Sequence, residues 1–247
     1  MKTNFVATVS DLRNRAWKAA LATWPTMLAM SFILWAVNEL QYHLMPLLAL
    51  ILSLVTLLLQ AGLTRGALTH LRGGEIDVSH IGSMFPYWKQ VICFRLWEGL
   101  FMLLWMLPGL FLTMVGFGIV EFAGGGAGTT AGWVIAGSGL VLMFVLLFRA
   151  ALNYLLASCC IIDTPSMGGV AALEKSKQLM RGHRWRYVCM SFPFLLVIIA
   201  VLSIQITCSR GMISTAHHAL LSLLSIIPQI LFAYIVPVLY QELNDRL

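Results

Sequence analysis

The sequence predicts an all-α, polytopic membrane bundle of six transmembrane helices, with amphipathic helices at its cytoplasmic interface, and three observations predict it. Of 247 residues, 60% are hydrophobic and 11% charged, far from the roughly half-apolar, quarter-charged mixture of soluble domains. The mean hydropathy is +0.86. The apolar residues gather into runs close to the roughly 20 residues that cross a bilayer, and the cations lie unevenly between those runs. Six crossings leave no room for a separate soluble domain, so residues 1–247 are expected to form one membrane domain.

The elements follow in order. Residues 1–20 set Lys2, Arg13, Arg15 and Lys18 against Asp11, and Ser10 is placed to cap a short helix with the stripe Leu12, Ala16 and Ala19. This segment is expected along the membrane surface. A first span follows at about 21–38, and because no small-x-small cleavage pattern closes it, it is expected to be retained rather than removed as a signal peptide. A polar connection at 39–43 leads to a second span at about 44–63, with Pro46 near its start. The polar stretch 64–90, carrying Arg65, Arg72, Gly73, Gly74, Glu75, Asp77 and Lys89, reads as a surface loop with a short helix.

The third span, about 92–119, contains Pro108 and Gly109; a proline within a spanning helix removes a donor and tends to kink it. Glycine-rich residues 121–132 make a turn, and the fourth span, about 133–162, is too long for one upright crossing. It must tilt, break or protrude. Asp163, Thr164 and Pro165 stop it, with Thr164 as cap and Pro165 opening an interfacial helix to Trp185. That helix carries Ala172, Leu173, Ser176, Leu179 and Met180 on one stripe. The fifth span is expected at 187–207, a polar turn at 208–218, and the sixth span at 219–239.

With sides alternating along the chain, every Lys and Arg except Arg149 and Arg210 falls on one face. The positive-inside rule makes that face cytoplasmic and places both termini there. The excess of 16 Lys and Arg over 10 Asp and Glu then reflects topology and anionic lipid. Nucleic-acid binding is excluded, since the cations are spread over separate juxtamembrane segments without a binding module. Trp17-Lys18, Trp88-Lys89 and Trp185-Arg186 each precede an odd-numbered span, which hints at three surface-helix-plus-hairpin units and equally fits the ordinary placing of aromatics and cations at an interface.

Ionisable groups inside spans are functional candidates by default. Arg149 is one, with Glu98 as its natural counter-ion, and Arg95 stands three residues before Glu98 on the same helix, where the two can pair locally. A structural ion pair or a snorkelling arginine competes here with a polar path. Cys93, Cys159, Cys160, Cys189 and Cys208 form no C-x-x-C, and adjacent His217 and His218 lack the i, i+4 spacing of a helical metal pair. No metal, haem or other cofactor is expected. Ser138 among small residues, with His217 or His218 nearby, superficially resembles an intramembrane hydrolase. Glycines of this kind serve helix packing in any bundle, and the run at Gly124, Gly125 and Gly126 lacks the lysine of a phosphate loop, so no enzyme is expected.

Four stretches are familiar. They are Leu104-Trp105-Met106-Leu107-Pro108-Gly109, Asp163-x-Pro165, the run from Ala172 to Trp185, and Pro237 followed by Leu239-Tyr240-Gln241-Glu242-Leu243. Together they resemble the bacterial membrane family known as domain of unknown function 975. The most specific part is A-x-x-x-S-x-x-L-M-x-G-H-K/R, met at Ala172, Ser176, Leu179, Met180, Gly182, His183 and Arg184. The resemblance implies a bacterial inner-membrane location and kinship with the membrane domain attached to some glycerophosphodiester phosphodiesterases, and it implies no established reaction. The chain departs from the pattern in a longer glycine-rich stretch at 121–132 and in lacking a Thr-x-Gly-hydrophobic-Gly run before the sixth span.

The shared residues lie on the cytoplasmic side. Asp163, Pro165, Ser176, Met180, Arg181, Gly182, His183, Arg184 and Trp185 are the interface candidates there, either as an anchor or as a docking face for membrane lipids or an unidentified membrane or cytoplasmic partner. The favoured expectation is a non-enzymatic accessory or scaffold component. The competing one is a small transporter, in which helices broken at Pro46, Pro108, Pro193, Pro228 and Pro237 line a polar path near Glu98 and Arg149.

Overall fold

The structure, a computed structural model, describes residues 8–42, 44–123, 125–209, 223 and 226–245. Among these the regular structure is helical throughout: α1 (Val9–Ala22), α2 (Trp24–Tyr42), α3 (Pro46–Leu71), two 3₁₀ turns (Val78–Gly82 and Phe85–Tyr87), α4 (Trp88–Phe122), α5 (Ala127–Tyr154), α6 (Ala157–Asp163), α7 (Gly169–Leu179), α8 (Arg184–Ser209) and α9 (Ile226–Asn244).

The expected six spans are not what these residues show. Three stretches are long and apolar enough to cross a membrane: Pro46–Leu71, Val78–Phe122 and Ala127–Asp163. A fourth exists only if the bent pair Val9–Ala22 and Trp24–Gln41 counts as one broken span. The first expected span falls almost wholly on α2, which does not qualify alone, and its first residues lie across an 82° bend from it. Pro25, the second residue of α2, has no N–H, and in a continuous helix its ring would press on the Leu21 carbonyl. Thr23 closes α1 instead, its N–H and hydroxyl both donating to the Ala19 carbonyl at 3.2 and 2.9 Å. The fifth and sixth expected spans coincide with α8 and α9, neither of which is among the qualifying stretches. α9 is wrapped in protein, burying Tyr234, Ile235, Val238, Leu239 and Tyr240. The start of the sixth expected span, apart from Leu223, lies outside the described residues.

α3 is the central helix. It buries Thr56, Leu58, Leu59, Ala61, Leu63, Ala67 and Leu68, and the Val78–Gly82 turn folds back onto it at Gly62, where a Cβ would stand 2.1 Å from the Ile81 carbonyl oxygen. Arg65 fastens the same turn by donating from Nη1 to the Ser83 carbonyl at 3.1 Å. α1 is capped by Thr8 and Asp11 rather than by Ser10, and it buries Leu12, Ala16 and Ala20 in packing against α9 and α8.

α4 and α5 form the longest hairpin. α4 runs unbroken through Pro108, and the two backbones touch where side chains are smallest. A Cβ on Gly116 would lie 2.3 Å from the Ala136 nitrogen, and one on Gly139 2.5 Å from the Thr113 nitrogen. Small residues are what permit such close approach between spanning helices. The hairpin's outer faces expose Leu103, Phe111, Val141, Phe144 and Phe148, the composition of a lipid-facing surface. The over-long fourth span breaks after Tyr154, and α6 resumes at Ala157.

Candidate functional site

The ends of four helices meet in a polar node. Arg72 caps α3 and places Nη1 2.6 Å from Oδ1 of Asp163, the last residue of α6. The Tyr240 hydroxyl of α9 donates to the other carboxylate oxygen at 3.0 Å. Gln241 reaches the Leu71 carbonyl at 3.5 Å, and Arg15 of α1 stands 3.6 Å from Glu242. The Asp163 carboxylate, by accepting from the guanidinium, holds Arg72 above its ordinary pKa. Pro165 follows within a turn closed by the Met167 N–H on the Thr164 carbonyl. It does not open a helix; α7 starts later, at Gly169 with Gly168 as cap.

α7 lies against the ends of α4, α5 and α6. Its expected stripe is its buried face: Ala172, Leu173, Ser176, Leu179 and Met180 are all inside. The Ser176 hydroxyl donates to the Asn153 carbonyl at 2.7 Å. In an unbroken helix that carbonyl would accept from residue 157, and the break after Tyr154 frees it. Beyond Met180 the chain reverses at Gly182, whose φ of 79° suits glycine alone. Arg181 and Gly182 are exposed, His183 and Arg184 half-buried, and Trp185 is 77% exposed. His183 donates from Nδ1 to the Arg181 carbonyl at 2.9 Å, which stiffens the turn. The candidates therefore divide, with Ser176 and Met180 serving the interior and Arg181, Gly182 and Trp185 forming an outward edge.

Of the intramembrane candidates, Arg95 and Glu98 are brought together, Nη1 to Oε2 at 2.6 Å. Arg149 is exposed on α5 and does not meet Glu98. Arg95 also borders a cleft of about 370 Å³ between α3, α4, α6 and α9, where Gln60, Thr64, Ser158 and Gln229 supply the other polar lining. Its Nε is buried and has no hydrogen-bond partner, while Cζ sits 5.5 Å above the Phe94 ring. These four polar residues escaped the sequence reading; the available signal was their presence in otherwise apolar runs.

Cys159 and Cys160 are buried, Cys93 and Cys189 exposed. Among the described residues no three His, Cys, Asp or Glu side chains come together as metal ligands. Ser138 donates to the Ile135 carbonyl at 2.8 Å, an ordinary helical arrangement. Lys2, Arg210, His217, His218 and Arg246 lie outside the described residues, as do the side chains of Cys208 and Pro228.

Long apolar helices, glycine contacts between spanning helices and a polar node at one end define a multi-span, all-helical membrane protein. Its sequence belongs to the family described as protein of unknown function (DUF975), whose family model matches residues 7–245. No curated protein and no solved structure matches the chain.

Proposed function

We propose that this protein is a non-enzymatic accessory or scaffold component of the bacterial inner membrane, akin to the membrane domains attached to glycerophosphodiester phosphodiesterases. The Arg72–Asp163 node faces the cytoplasm, and contact with lipid headgroups or a partner protein is made by the edge at 181–185. The division within α7 and its following turn carries this reading. Ser176 and Met180 are used up in holding the helix to the bundle, whereas Arg181 and Trp185 present an exposed cation and an exposed large aromatic. Such pairs favour the water–membrane boundary and protein interfaces. The cytoplasmic assignment draws on the positive-inside rule and on Arg15 and Arg72 lying at the same end through Glu242 and Asp163. A polar path between Glu98 and Arg149 has less support, because Glu98 is already paired and Arg149 faces outward.

Photo-crosslinking in native membranes tests the proposal. A photoreactive phenylalanine analogue at position 185 is expected to yield a discrete protein or headgroup adduct that disappears with Arg181→Glu. The same group at position 144, on the lipid face, is expected to yield acyl-chain adducts only. No adduct at 185, or the same pattern at both positions, overturns the reading.

A further inference from the structure

We infer that the cleft between α3, α4, α6 and α9 binds one anionic phospholipid, entering from the bilayer with its phosphate on Arg95. This site is separate from the edge at 181–185. Its polar and apolar parts are layered as an amphiphile is. The apolar run of α3 gives way to Thr64 and Arg65 just where Thr64 lines the cleft, and Arg95 stands close to the start of α4. On the proposed topology, on which this inference rests, Thr64 and Arg95 both lie toward the cytoplasmic ends of their helices, where headgroups begin. Ile161, Phe232 and Val236 supply an apolar wall, and Leu96 and Leu100 beside Arg95 are exposed on α4. A volume of about 370 Å³ exceeds what a lone phosphate requires and falls within the roughly 300–1,000 Å³ of small-molecule sites.

The charge selects the headgroup. Among the described residues of the lining, Arg95 is the one that is charged. Glu98 is not part of that lining and accepts from Nη1, leaving Nε buried without an acceptor. A guanidinium has five donors in a fixed fork, and a phosphate accepts two of them side by side. Among its described residues the lining holds no Asp or Glu, which leaves the ammonium of a zwitterionic headgroup without a counter-ion from them. A cationic pocket between helices of a membrane bundle is a known kind of lipid-headgroup site. An anionic phosphodiester with two acyl chains meets the guanidinium that lines the cleft and covers the apolar wall together.

Native mass spectrometry of the full chain in mild detergent provides the test, with phosphatidylglycerol and phosphatidylethanolamine as probes in competition and inorganic phosphate as a third arm. One bound phosphatidylglycerol is expected, preferred by about tenfold, the discrimination of one charge-assisted hydrogen-bond pair. Arg95→Gln removes the preference, and Arg95→Lys, which keeps the charge without the fork, retains part of it. Ala233→Leu, which narrows the cleft at its wall, lowers binding of both lipids without changing their ratio. Thermal melting of each variant separates these effects from unfolding; if Arg95→Gln does not fold, Arg95→Lys and Ala233→Leu decide. The inference is overturned if no single-lipid adduct forms, if folded variants bind as the parent does, or if inorganic phosphate displaces the lipid, which would mark a soluble-anion site.

Discussion

Ser176→Ala tests how α7 is fastened, and its cost can be worked from the geometry. The side chain is fully buried and its hydroxyl donates to the Asn153 carbonyl at 2.7 Å. Alanine removes the bond and strands a carbonyl that the break after Tyr154 has already freed from the helix. Leaving a buried acceptor unpaired costs about 1–3 kcal/mol. For chains of this size each kcal/mol moves the melting midpoint by about 2–4 °C, so a fall of about 2–12 °C is expected. The protein supplies its own reporter: Cys159 and Cys160 are buried beside α7 and become reactive toward a fluorogenic maleimide as this end opens. Serine replacements at Cys93, Cys189 and Cys208 silence the remaining thiols. Glu174→Ala, on the exposed face of the same helix, is the control and should change stability by no more than about 0.5 kcal/mol. If Ser176→Ala melts with the control, the Ser176–Asn153 bond does not hold α7 in place and the reasoning fails.

Three further outcomes are expected. Gly139→Leu drives side-chain atoms into the Thr113 backbone of α4 and should destabilise the hairpin by about 1–3 kcal/mol, whereas Gly137→Leu, with nothing near its Cβ direction, should be nearly silent in the same melt. Tyr240→Phe keeps the buried ring and removes one donor to the Asp163 carboxylate; a loss of about 1.5–3 kcal/mol in thermal unfolding is expected for a bond to a charged acceptor. The Asp77 carboxyl is held below its ordinary value by the Ser79 hydroxyl and then by backbone N–H groups. A carboxyl lowered in the folded state stabilises fully above the unfolded value near 3.8 and loses that contribution as pH falls through the folded value. The protection of Val78–Gly82 amides, relative to their intrinsic exchange rate, should therefore be independent of this group above about pH 5 and fall below it, and Asp77→Asn should remove the acid step.

What is legible in the sequence follows the range of the interactions involved. The Arg95–Glu98 pair and the buried stripe of α7 depend on spacings of three and four residues, so periodicity alone reveals them. The over-length of the fourth apolar run likewise announces a break, which falls after Tyr154. The Arg72–Asp163–Tyr240 node joins residues 91 and 77 positions apart, and no local pattern connects them. The span count fails for a different reason. Hydropathy measures how apolar a segment is without saying how the chain bends, and the pair Val9–Ala22 and Trp24–Gln41, bent by 82°, reads like one straight crossing. Pro25 carries the signal for the bend at Thr23, but its position so near the start of an apolar run makes it look like a tolerated first-turn proline. The cleft takes one or two polar residues from each of four helices, a grouping visible only after they pack.

Three of the residues that carry the family resemblance close the fold at one end. Asp163 joins α6 to α3 and α9, Ser176 joins α7 to α5, and Met180 is buried where α7 ends. None of them lines the cleft at Arg95. Architecture and ligand preference are therefore written in different residues, and they should vary independently. Distant, unconnected sites usually contribute additively, so Ser176→Ala should lower the melting midpoint while leaving the phosphatidylglycerol preference of the folded molecules intact, and Arg95→Gln should abolish that preference beside whatever stability the loss of the Glu98 pair costs. The double variant should show both effects at their single-variant sizes, to within about 0.5 kcal/mol. Coupling well beyond that would mean that α7 shapes the cleft through α4, where Gly169 already packs against Phe94, and the family signature would then report on binding as well as on fold.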